Sequence, residues 1–222
     1  MNVLLMSNFS NPRYRSVMDS LYFRGHNVTS TEDHRKMNLS YFDIGISWYY
    51  RVIVKQPELD AFKYGVYNYH PGHLPECRGA FTNIFPIVCK FPAGVSMQKM
   101  DAGLDTGPMI SRRTVAIFPT DTGETLWHKL VEAQYRMFIE DWPLVEKQIL
   151  DGELWTYPQE GEARTWKMSD TGAFDNLDTI PNSELVIDIL RARTFPPHES
   201  AYIVRNGRKI GVRVQLEDLG PA

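Results

Sequence analysis

Short apolar runs alternate with stretches of helical periodicity along the first two-thirds of the chain. Apolar runs of about four to eight residues are typical of buried strands, whereas apolar residues recurring about every three or four positions indicate a helix face. This alternation predicts an α/β fold, with a Rossmann-like open sheet and flanking helices. Pro143 lies inside the longest helical stretch, and we expect it to break or kink that helix. The predicted strands cover residues 3–6, 27–31, 43–48, 65–69, 94–100 and 109–117, and the predicted helices cover residues 13–24 and 121–151.

The pattern changes after residue 154. Residues 155–182 are rich in Gly, Pro, Asp and Thr and have weak periodicity, which predicts an irregular connector. A helix is expected over residues 184–193. Two strands, 201–204 and 209–216, then flank Asn206-Gly207, a dipeptide typical of hairpin turns. We therefore predict a main domain over residues 1–154 and an appendage over residues 155–222, made of the connector, a helix and a C-terminal β-hairpin.

Charge and cysteine content narrow the function classes. The 222 residues include 24 Lys and Arg against 27 Asp and Glu, a net charge of −3, which does not favour a nucleic-acid or membrane-surface protein. Cys77 and Cys89 are too few for a disulfide framework or a structural zinc site. No apolar run approaches the ~18 residues of a membrane span, and the N-terminus lacks the basic flank of a signal peptide. A cytoplasmic protein is expected.

Three polar residues near predicted strand ends are the candidates for chemistry. The glycine-rich dinucleotide and triphosphate loops are absent, as is the Gly-x-Ser-x-Gly nucleophile turn. Asn68 and His70 follow a short apolar run, and Asp105 lies in a later loop. Alone, His70 could be a turn histidine and Asp105 part of an ordinary tight turn. Together they predict an amide, an imidazole and a carboxylate on one rim of the sheet, where open α/β sheets bind ligands.

Two segments extend these residues into a recognisable pattern. They are Asn68-Tyr69-His70-Pro71-Gly72-His73-Leu74-Pro75 with Arg78-Gly79-Ala80, and Met100-Asp101-Ala102-Gly103-Leu104-Asp105-Thr106-Gly107. The pattern resembles the formyltransferase family that uses 10-formyltetrahydrofolate, which includes the glycinamide ribonucleotide, methionyl-tRNA and nucleotide-sugar N-formyltransferases. The resemblance implies that Asn68, His70 and Asp105 are catalytic, with residues 1–154 as the catalytic domain. It also implies 10-formyltetrahydrofolate as the formyl donor, with no metal.

These residue types suit formyl transfer. The reaction passes through a tetrahedral intermediate with a negative oxygen, to which the Asn68 NH₂ and a His70 N–H can donate. A carboxylate at Asp105 can orient the imidazole, and it can accept the proton that the attacking amine loses, directly or through water.

The resemblance also implies the ligand contacts. Tyr50 is implied to contact the folate, but it could equally pack against the sheet. The residues implied to contact the acceptor also have structural alternatives: Asn8 could cap the first helix, Arg78 could brace its loop against Asp101, and Phe195 could fill the core. The implied folate contacts are Tyr50, Arg51, Val52, Ile53, Gly72, His73, Leu74, Pro75, Met100, Asp101 and Leu104, and the implied acceptor contacts are Ser7, Asn8, Arg78 and Phe195.

The C-terminal region favours one branch of the family. The methionyl-tRNA enzymes carry an extra C-terminal β-barrel for which this chain is short, and the glycinamide ribonucleotide enzymes lack the appendage. A helix running into Thr194-Phe195-Pro196-Pro197 before a hairpin looks like the tail of the nucleotide-sugar N-formyltransferases, and Gly72 in place of serine agrees. The expected acceptor is a dTDP-linked amino-dideoxyhexose, such as dTDP-4-amino-4,6-dideoxyglucose or its 3-amino relative, destined for a surface polysaccharide such as the O-antigen of lipopolysaccharide. A homodimer is expected.

Some features depart from the family pattern, and alternatives stay open. Gln98 stands where some members have histidine, outside the catalytic set. The segment between Thr31 and Arg51 is short, so a full second helix is expected to be missing. We expect the arginines of the appendage to be mostly solvated. The alternative functions are a formyltransferase for another amine, such as glycinamide ribonucleotide or a peptide, and a catalytically silent folate- or nucleotide-binding sensor.

Overall fold

The computed structural model describes residues 1–11 and 13–220. The described strands are β1 (Asn2–Ser7), β2 (Asn27–Thr31), β3 (Ile44–Trp48), β4 (Val66–His70), β5 (Arg78–Gly79), β6 (Ala93–Lys99), β7 (Met109–Val115), β8 (Thr165–Trp166), β9 (Tyr202–Arg205) and β10 (Arg208–Gly211). The described α-helices are α1 (Tyr14–Phe23), α2 (Gln56–Leu59), α3 (Phe85–Cys89), α4 (Gly123–Asp151) and α5 (Ser183–Ala192). None of these helices is long and apolar enough to cross a lipid bilayer.

The main sheet is open and mostly parallel, which confirms the predicted fold class. Its strand order is β2-β1-β3-β4-β6-β7. The first four strands in this order are parallel, whereas β6 runs antiparallel to both β4 and β7. Each predicted strand of the main domain is present, with its ends within two residues of those predicted. Between β2 and β3 the chain forms only short 3₁₀ turns at 34–36 and 39–41, so the second helix is missing as expected.

Alternation along β4 separates an apolar face from a polar face. Tyr67 and Tyr69 point to the side covered by α4, where their rings lie 6.2 Å from Trp142 and 5.4 Å from Phe138 respectively. Side chains alternate across a strand, so Asn68 and its neighbour two residues on face the opposite side. The face covered by α4 is therefore closed by aromatic packing, and polar chemistry is confined to the other face.

The predicted break at Pro143 is wrong, because α4 runs uninterrupted from Gly123 to Asp151. Pro143 is exposed and lies on the solvent side of the helix. Proline removes one backbone hydrogen bond, here the one to the carbonyl of Ile139, whose own side chain is 41% exposed. A carbonyl on the wet side of a helix can be solvated, so the helix continues.

The appendage contains the predicted helix and hairpin. Asn206 and Gly207 have φ values of 51° and 72°, as a two-residue turn with left-handed residues requires. The second strand ends at Gly211, earlier than predicted. Arg191 and Arg193 are buried, contrary to the expected solvated face. The Arg191 guanidinium donates to Asp188 at 2.8 Å and to the carbonyl of Asp121 at 3.0 Å, which ties α5 to the start of α4.

Candidate active site

The site is built on the polar face of the sheet, across three neighbouring strands. Ser47 of β3 is in register with Asn68 of β4, which is in turn in register with Gln98 of β6. His70 pairs with Ser96 in the same way. Residues in register share a face, so these side chains form one polar row on buried strands.

Asp105 reaches this row from a loop that we call the Asp105 loop (residues 101–108). The expectation is that Asp105 lies on the same rim of the sheet as His70. Its carboxylate does reach His70, but its loop starts at the opposite end of β4. Because β6 is antiparallel to β4, the loop begins beside Val66, whose carbonyl accepts from the Met100 N–H at 2.8 Å. The loop then folds back over the sheet face. Asp105 itself has φ +53°, a left-handed conformation that L residues seldom adopt.

The Asp105 carboxylate is the centre of the site. Its Oδ1 accepts from Asn68 Nδ2 and from Gln98 Nε2, both at 3.1 Å. Its Oδ2 accepts from the Gly79 backbone N–H at 2.9 Å and lies 3.5 Å from His70 Nδ1. The side chain is 10% exposed. The structure therefore brings the three residues implied as catalytic into one cluster.

The Asn68 amide has only one possible orientation here. A carboxylate only accepts hydrogen bonds, so the amide nitrogen must face Asp105. Its Oδ1 then accepts from the Ser47 hydroxyl at 2.7 Å. The amide nitrogen carries two hydrogens, and the Asp105 contact uses one of them.

The His70 ring is oriented by a backbone carbonyl. Its Nε2 lies 2.7 Å from the Cys77 carbonyl oxygen, which can only accept, so Nε2 carries a proton. This N–H is therefore not available to a substrate oxygen, and the role expected for it does not fit. Nδ1 remains, facing Asp105. Burial also raises the pKa of the Cys77 thiol, which agrees with a packed cysteine.

The loop after β4 is held by side chains of the sheet. The Ser96 hydroxyl accepts from the Leu74 N–H at 3.1 Å and donates to the Gly72 carbonyl at 2.7 Å. His73 Nδ1 lies 2.9 Å from Glu76. Gly72, His73, Leu74 and Pro75 are all buried, so the side chains of His73, Leu74 and Pro75 lie within the protein.

The segment implied to hold the pterin follows β3, next to β4. The Tyr50 hydroxyl accepts from the His34 N–H at 2.8 Å and lies 2.7 Å from His34 Nδ1. Burial raises the pKa of this phenol. These contacts favour the packing role for Tyr50. Arg51 and Ile53 are exposed at this edge, and Val52 is half-buried.

The remaining folate candidates lie around the Asp105 loop. Asp101 Oδ1 accepts from the Gly103 N–H at 3.0 Å and from the Thr106 hydroxyl at 2.6 Å, which shapes the loop. Met100 is half-buried and Leu104 is 44% exposed.

The acceptor candidates are spread over three places. Ser7 is buried at the end of β1, and Asn8 Oδ1 accepts from the Ser10 N–H at 3.0 Å, so Asn8 shapes a turn and does not cap α1. Arg78 does not brace Asp101, because its guanidinium donates to Gln159. Phe195 packs on Trp127, with 5.5 Å between ring centroids, at the start of α4.

Sequence reasoning missed two glutamines of the site. Gln98 was placed outside the catalytic set, yet its amide holds the Asp105 carboxylate. Gln159 lies in the irregular connector, where no periodicity or motif marks it, yet it contacts the Asp105 loop. In-register pairing with Asn68 could have identified the first. Nothing in the sequence alone could have identified the second.

Two further features bear on ligand binding. Within residues 1–11 and 13–220, no cluster of three His, Cys, Asp or Glu side chains could hold a metal ion. A groove of about 530 Å³ lies between α1 and α4, lined in part by Phe23, Tyr135 and Trp142. It is on the α4 side of the sheet and contains none of the candidate site residues.

Comparison with known proteins identifies the family. Residues 18–141 match the sequence model described as "Formyl transferase", and residues 176–218 match the "N-formyltransferase dimerization C-terminal domain". A methionyl-tRNA formyltransferase of Dictyoglomus turgidum is 36% identical over 118 residues, which cover 53% of this chain and 36% of that protein. A dTDP-4-amino-4,6-dideoxyglucose formyltransferase of Mycobacterium bovis is 29% identical over 161 residues, 70% of this chain and 66% of that protein.

A solved structure extends the likeness. It is the formyltransferase PseJ from Anoxybacillus kamchatkensis, in complex with UDP-4,6-dideoxy-4-formamido-L-AltNAc and tetrahydrofolate. It is 28% identical with a TM-score of 0.70, covering 82% of this chain and 93% of its own. The sequence match thus spans about a third of the length of the Dictyoglomus enzyme and about two thirds of the Mycobacterium enzyme. Since the "Formyl transferase" match alone takes in more than half of the chain, the chain belongs to the formyl transferase family.

Proposed function

We propose that this protein is an N-formyltransferase that moves the formyl group of 10-formyltetrahydrofolate to the amine of a dTDP-linked amino-dideoxyhexose, such as dTDP-4-amino-4,6-dideoxyglucose. The observation that carries the proposal is the contact of the Asp105 carboxylate with both Asn68 and His70 on one face of the sheet. In this proposal these three residues are catalytic.

In the first step, the amine nitrogen of the sugar attacks the formyl carbon. A carbon–nitrogen bond forms, and the formyl oxygen takes the electron pair of its double bond. The second N–H of Asn68 is the donor to this oxygen, because the first is committed to Asp105. The Ser47 hydroxyl fixes the amide, so the donor is oriented before the substrate arrives.

Proton transfer completes the reaction. The attacking nitrogen loses a proton to His70 Nδ1, whose lone pair is available because the ring proton sits on Nε2. Asp105 Oδ2, 3.5 Å away, stabilises the imidazolium that forms. The oxygen then returns its electron pair to re-form the carbonyl double bond, the bond between the formyl carbon and N10 of the folate breaks, and N10 takes the proton from the His70 imidazolium, which regenerates the neutral ring. Proton and charge balance without an added metal or a covalent enzyme intermediate.

The family resemblance supplies the ligand positions. Following it, we assign the folate to the segment after β3 and the Asp105 loop, and the acceptor to the segment after β1 with Arg78. The carboxyl ends of β1, β3 and β4 lie side by side, which gives the two ligands a common edge of the sheet. Because Tyr50, His73 and Leu74 have their side chains engaged within the protein, we assign their folate contacts to backbone groups.

A nucleotide-sugar acceptor is supported by the extent of the similarities. The alignment takes in 66% of the length of the dTDP-sugar relative but 36% of the length of the Dictyoglomus methionyl-tRNA enzyme. PseJ was solved with a UDP-linked formamido sugar and tetrahydrofolate. A net charge of −3 offers no basic surface excess for a polynucleotide.

Methionyl-tRNA is the second candidate acceptor, because the Dictyoglomus enzyme is the more identical of the two relatives over its shorter match, 36% against 29%. The assay therefore includes both. Purified protein is incubated with 10-formyltetrahydrofolate and, in separate reactions, dTDP-4-amino-4,6-dideoxyglucose, its 3-amino relative, a UDP-linked amino sugar or methionyl-tRNA. Formylated product is quantified by mass spectrometry.

We expect turnover with a dTDP-amino sugar and none with methionyl-tRNA. Turnover with methionyl-tRNA alone would replace the proposed acceptor. Binding of the folate and the nucleotide sugar without turnover on any amine would indicate a sensor, and the catalytic proposal would be wrong.

We also propose a homodimer formed through the appendage. Residues 176–218 match a family domain described as a dimerization domain, and the hairpin strands β9 and β10 pair only with each other within the sheets described for residues 1–11 and 13–220. Sedimentation equilibrium is expected to give twice the chain mass. A monomer at micromolar concentration would contradict this.

A further inference from the structure

The connector does more than join the two parts of the chain. We call its first portion, residues 155–167, the strap. Tyr157 exchanges two backbone hydrogen bonds with Met109, at 2.7 and 2.9 Å. At its other end, the Trp166 carbonyl accepts from the Ala80 N–H at 2.9 Å, and β8 pairs with β5. The strap therefore crosses from the end of the Asp105 loop to the segment that donates to Asp105.

Gln159 lies midway along the strap, where its side chain joins these two parts of the site. Its Nε2 donates to the backbone carbonyls of Asp105 and Gly107, each at 2.9 Å, and lies 3.3 Å from Gln98 Oε1. Its Oε1 accepts from Arg78 Nε at 3.1 Å and Nη2 at 2.7 Å. Few contacts of the amide are left for solvent.

The chemistry of the partners fixes the amide orientation. Carbonyl oxygens only accept and a guanidinium only donates, so Nε2 must face the Asp105 loop and Oε1 must face Arg78. A glutamate could keep the Arg78 contact but not the carbonyl contacts. A methionine of similar size could keep neither.

The Asp105 loop needs such support. Asp105 holds φ +53°, and a strained backbone of this kind persists only where surrounding contacts determine it. Gly79, which donates its N–H to the Asp105 carboxylate, directly follows Arg78. Gln159 thus restrains the backbone on both sides of the carboxylate, one through Asp105 itself and the other through Arg78.

We propose that Gln159 is a positioning residue for formyl transfer: it holds the Asp105 backbone and the Arg78 segment in the register at which the carboxylate meets Asn68 and His70. This rests on the proposed function. It also connects a residue assigned to the acceptor, Arg78, with the loop assigned to the folate.

The test compares Gln159→Met and Gln159→Glu with the wild-type protein. The matched control is Gln56→Met, because Gln56 is exposed and bonds only to Asp60, one helical turn away. We expect kcat to fall about 10- to 100-fold in both Gln159 variants, as a displacement of about 1 Å costs, with the KM for 10-formyltetrahydrofolate changing less than about threefold. The control is expected to match wild type in kcat and in urea midpoint, whereas the Gln159 variants lose hydrogen bonds and are expected to have a lower urea midpoint while remaining folded under the assay conditions.

Hydrogen–deuterium exchange gives a second readout that needs no turnover. Faster exchange is expected over residues 78–80 and 101–108 in both Gln159 variants and not in Gln56→Met. The proposal would be overturned if both Gln159 variants kept the wild-type kcat and the wild-type rates of hydrogen–deuterium exchange. A defect in Gln159→Met alone would assign the effect to Arg78 and would equally overturn the positioning of Asp105. If wild type formylates no acceptor, the proposed function fails, while exchange still decides whether Gln159 holds the loop.

Discussion

Gly72 offers a direct test of how His70, the proposed proton acceptor, is held. Its backbone φ is not left-handed, so alanine is compatible with the local conformation and any effect is steric. A Cβ at residue 72 would lie 2.4 Å from His70 Nε2 and 2.5 Å from the Cys77 carbonyl oxygen. These are the two atoms that share the 2.7 Å hydrogen bond. Gly72→Ala therefore forces the ring away from its carbonyl partner.

The expected cost has two parts. Moving the ring leaves the backbone carbonyl of the buried Cys77 without its hydrogen-bond donor. A buried carbonyl without a donor costs about 1–3 kcal/mol. Residual overpacking by the methyl group costs about 1–3 kcal/mol more. Movement of the His70 ring reduces the overpacking but breaks its hydrogen bond to Cys77, so the two costs do not both reach their full size. We therefore expect a total loss of about 2–4 kcal/mol in the free energy of unfolding. A displaced ring also withdraws Nδ1 from Asp105, so kcat is expected to fall about 100-fold.

Gly172→Ala is the matched control, because a Cβ there meets nothing within 4 Å and its φ is also not left-handed. The control is expected to change the free energy of unfolding by less than about 0.5 kcal/mol. Urea unfolding and steady-state formyl transfer are measured for both variants. If Gly72→Ala unfolds at the same urea concentration as Gly172→Ala and keeps wild-type kcat, the glycine does not hold His70 in the way argued here.

Three other substitutions test separate parts of the structure. Asn68→Ala removes the proposed donor to the formyl oxygen and should lower kcat about 10²- to 10³-fold while folate binding, followed by fluorescence titration, persists; loss of binding instead would point to a ligand role. Arg191→Met leaves Asp188 paired with Lys90 alone and removes the donor to the Asp121 carbonyl, so it should cost about 1–3 kcal/mol in urea unfolding, against less than about 0.5 kcal/mol for the exposed Arg208→Ala. Burial lowers the pKa of His26 below 6.5, although the neighbouring Glu146 carboxylate opposes this shift. The folded state therefore binds fewer protons than the unfolded state, and the free energy of unfolding should decline as pH falls below about 6.5. His26→Gln should flatten that decline in urea midpoints measured from pH 5 to pH 8, and an unchanged slope would assign it to other groups.

The sheet and its polar row were accessible to sequence reasoning because both depend on local periodicity. The segment Tyr67-Asn68-Tyr69-His70 alternates aromatic and polar side chains, so one face had to pack and the other had to carry polar groups. The aromatic members do pack against α4, and the polar members do share a face. The hairpin at Asn206-Gly207 was predictable for a similar reason, since its turn chemistry lies within two residues.

What the sequence could not supply is the placement of chain segments relative to one another. The family resemblance named Asp105 but not the folding back of its loop, because the antiparallel direction of β6 is decided by sheet pairing and not by the local sequence. Gln159 lies 54 residues from Asp105 in a segment without periodicity. The expected helix break at Pro143 failed for the opposite reason. The rule that proline interrupts a helix depends on the local sequence alone, and it does not include the fact that this residue faces solvent.

Asn68 and Asp105 are held in place in two different ways, and this difference suits the proposed chemistry. Ser47 and Asn68 are in register on neighbouring buried strands, so the sheet itself fixes the amide that we propose as the donor to the developing negative oxygen. Asp105, in contrast, is held by groups from separate segments, among them Gly79 and the strap residue Gln159. An oxyanion donor gains most from rigidity, because reorienting it during the reaction would consume the stabilisation that it provides. The position of the Asp105 carboxylate depends on how these separate segments pack, so we expect single substitutions in them to shift Asp105 more readily than Asn68, and a shift of about 1 Å is enough to lower kcat.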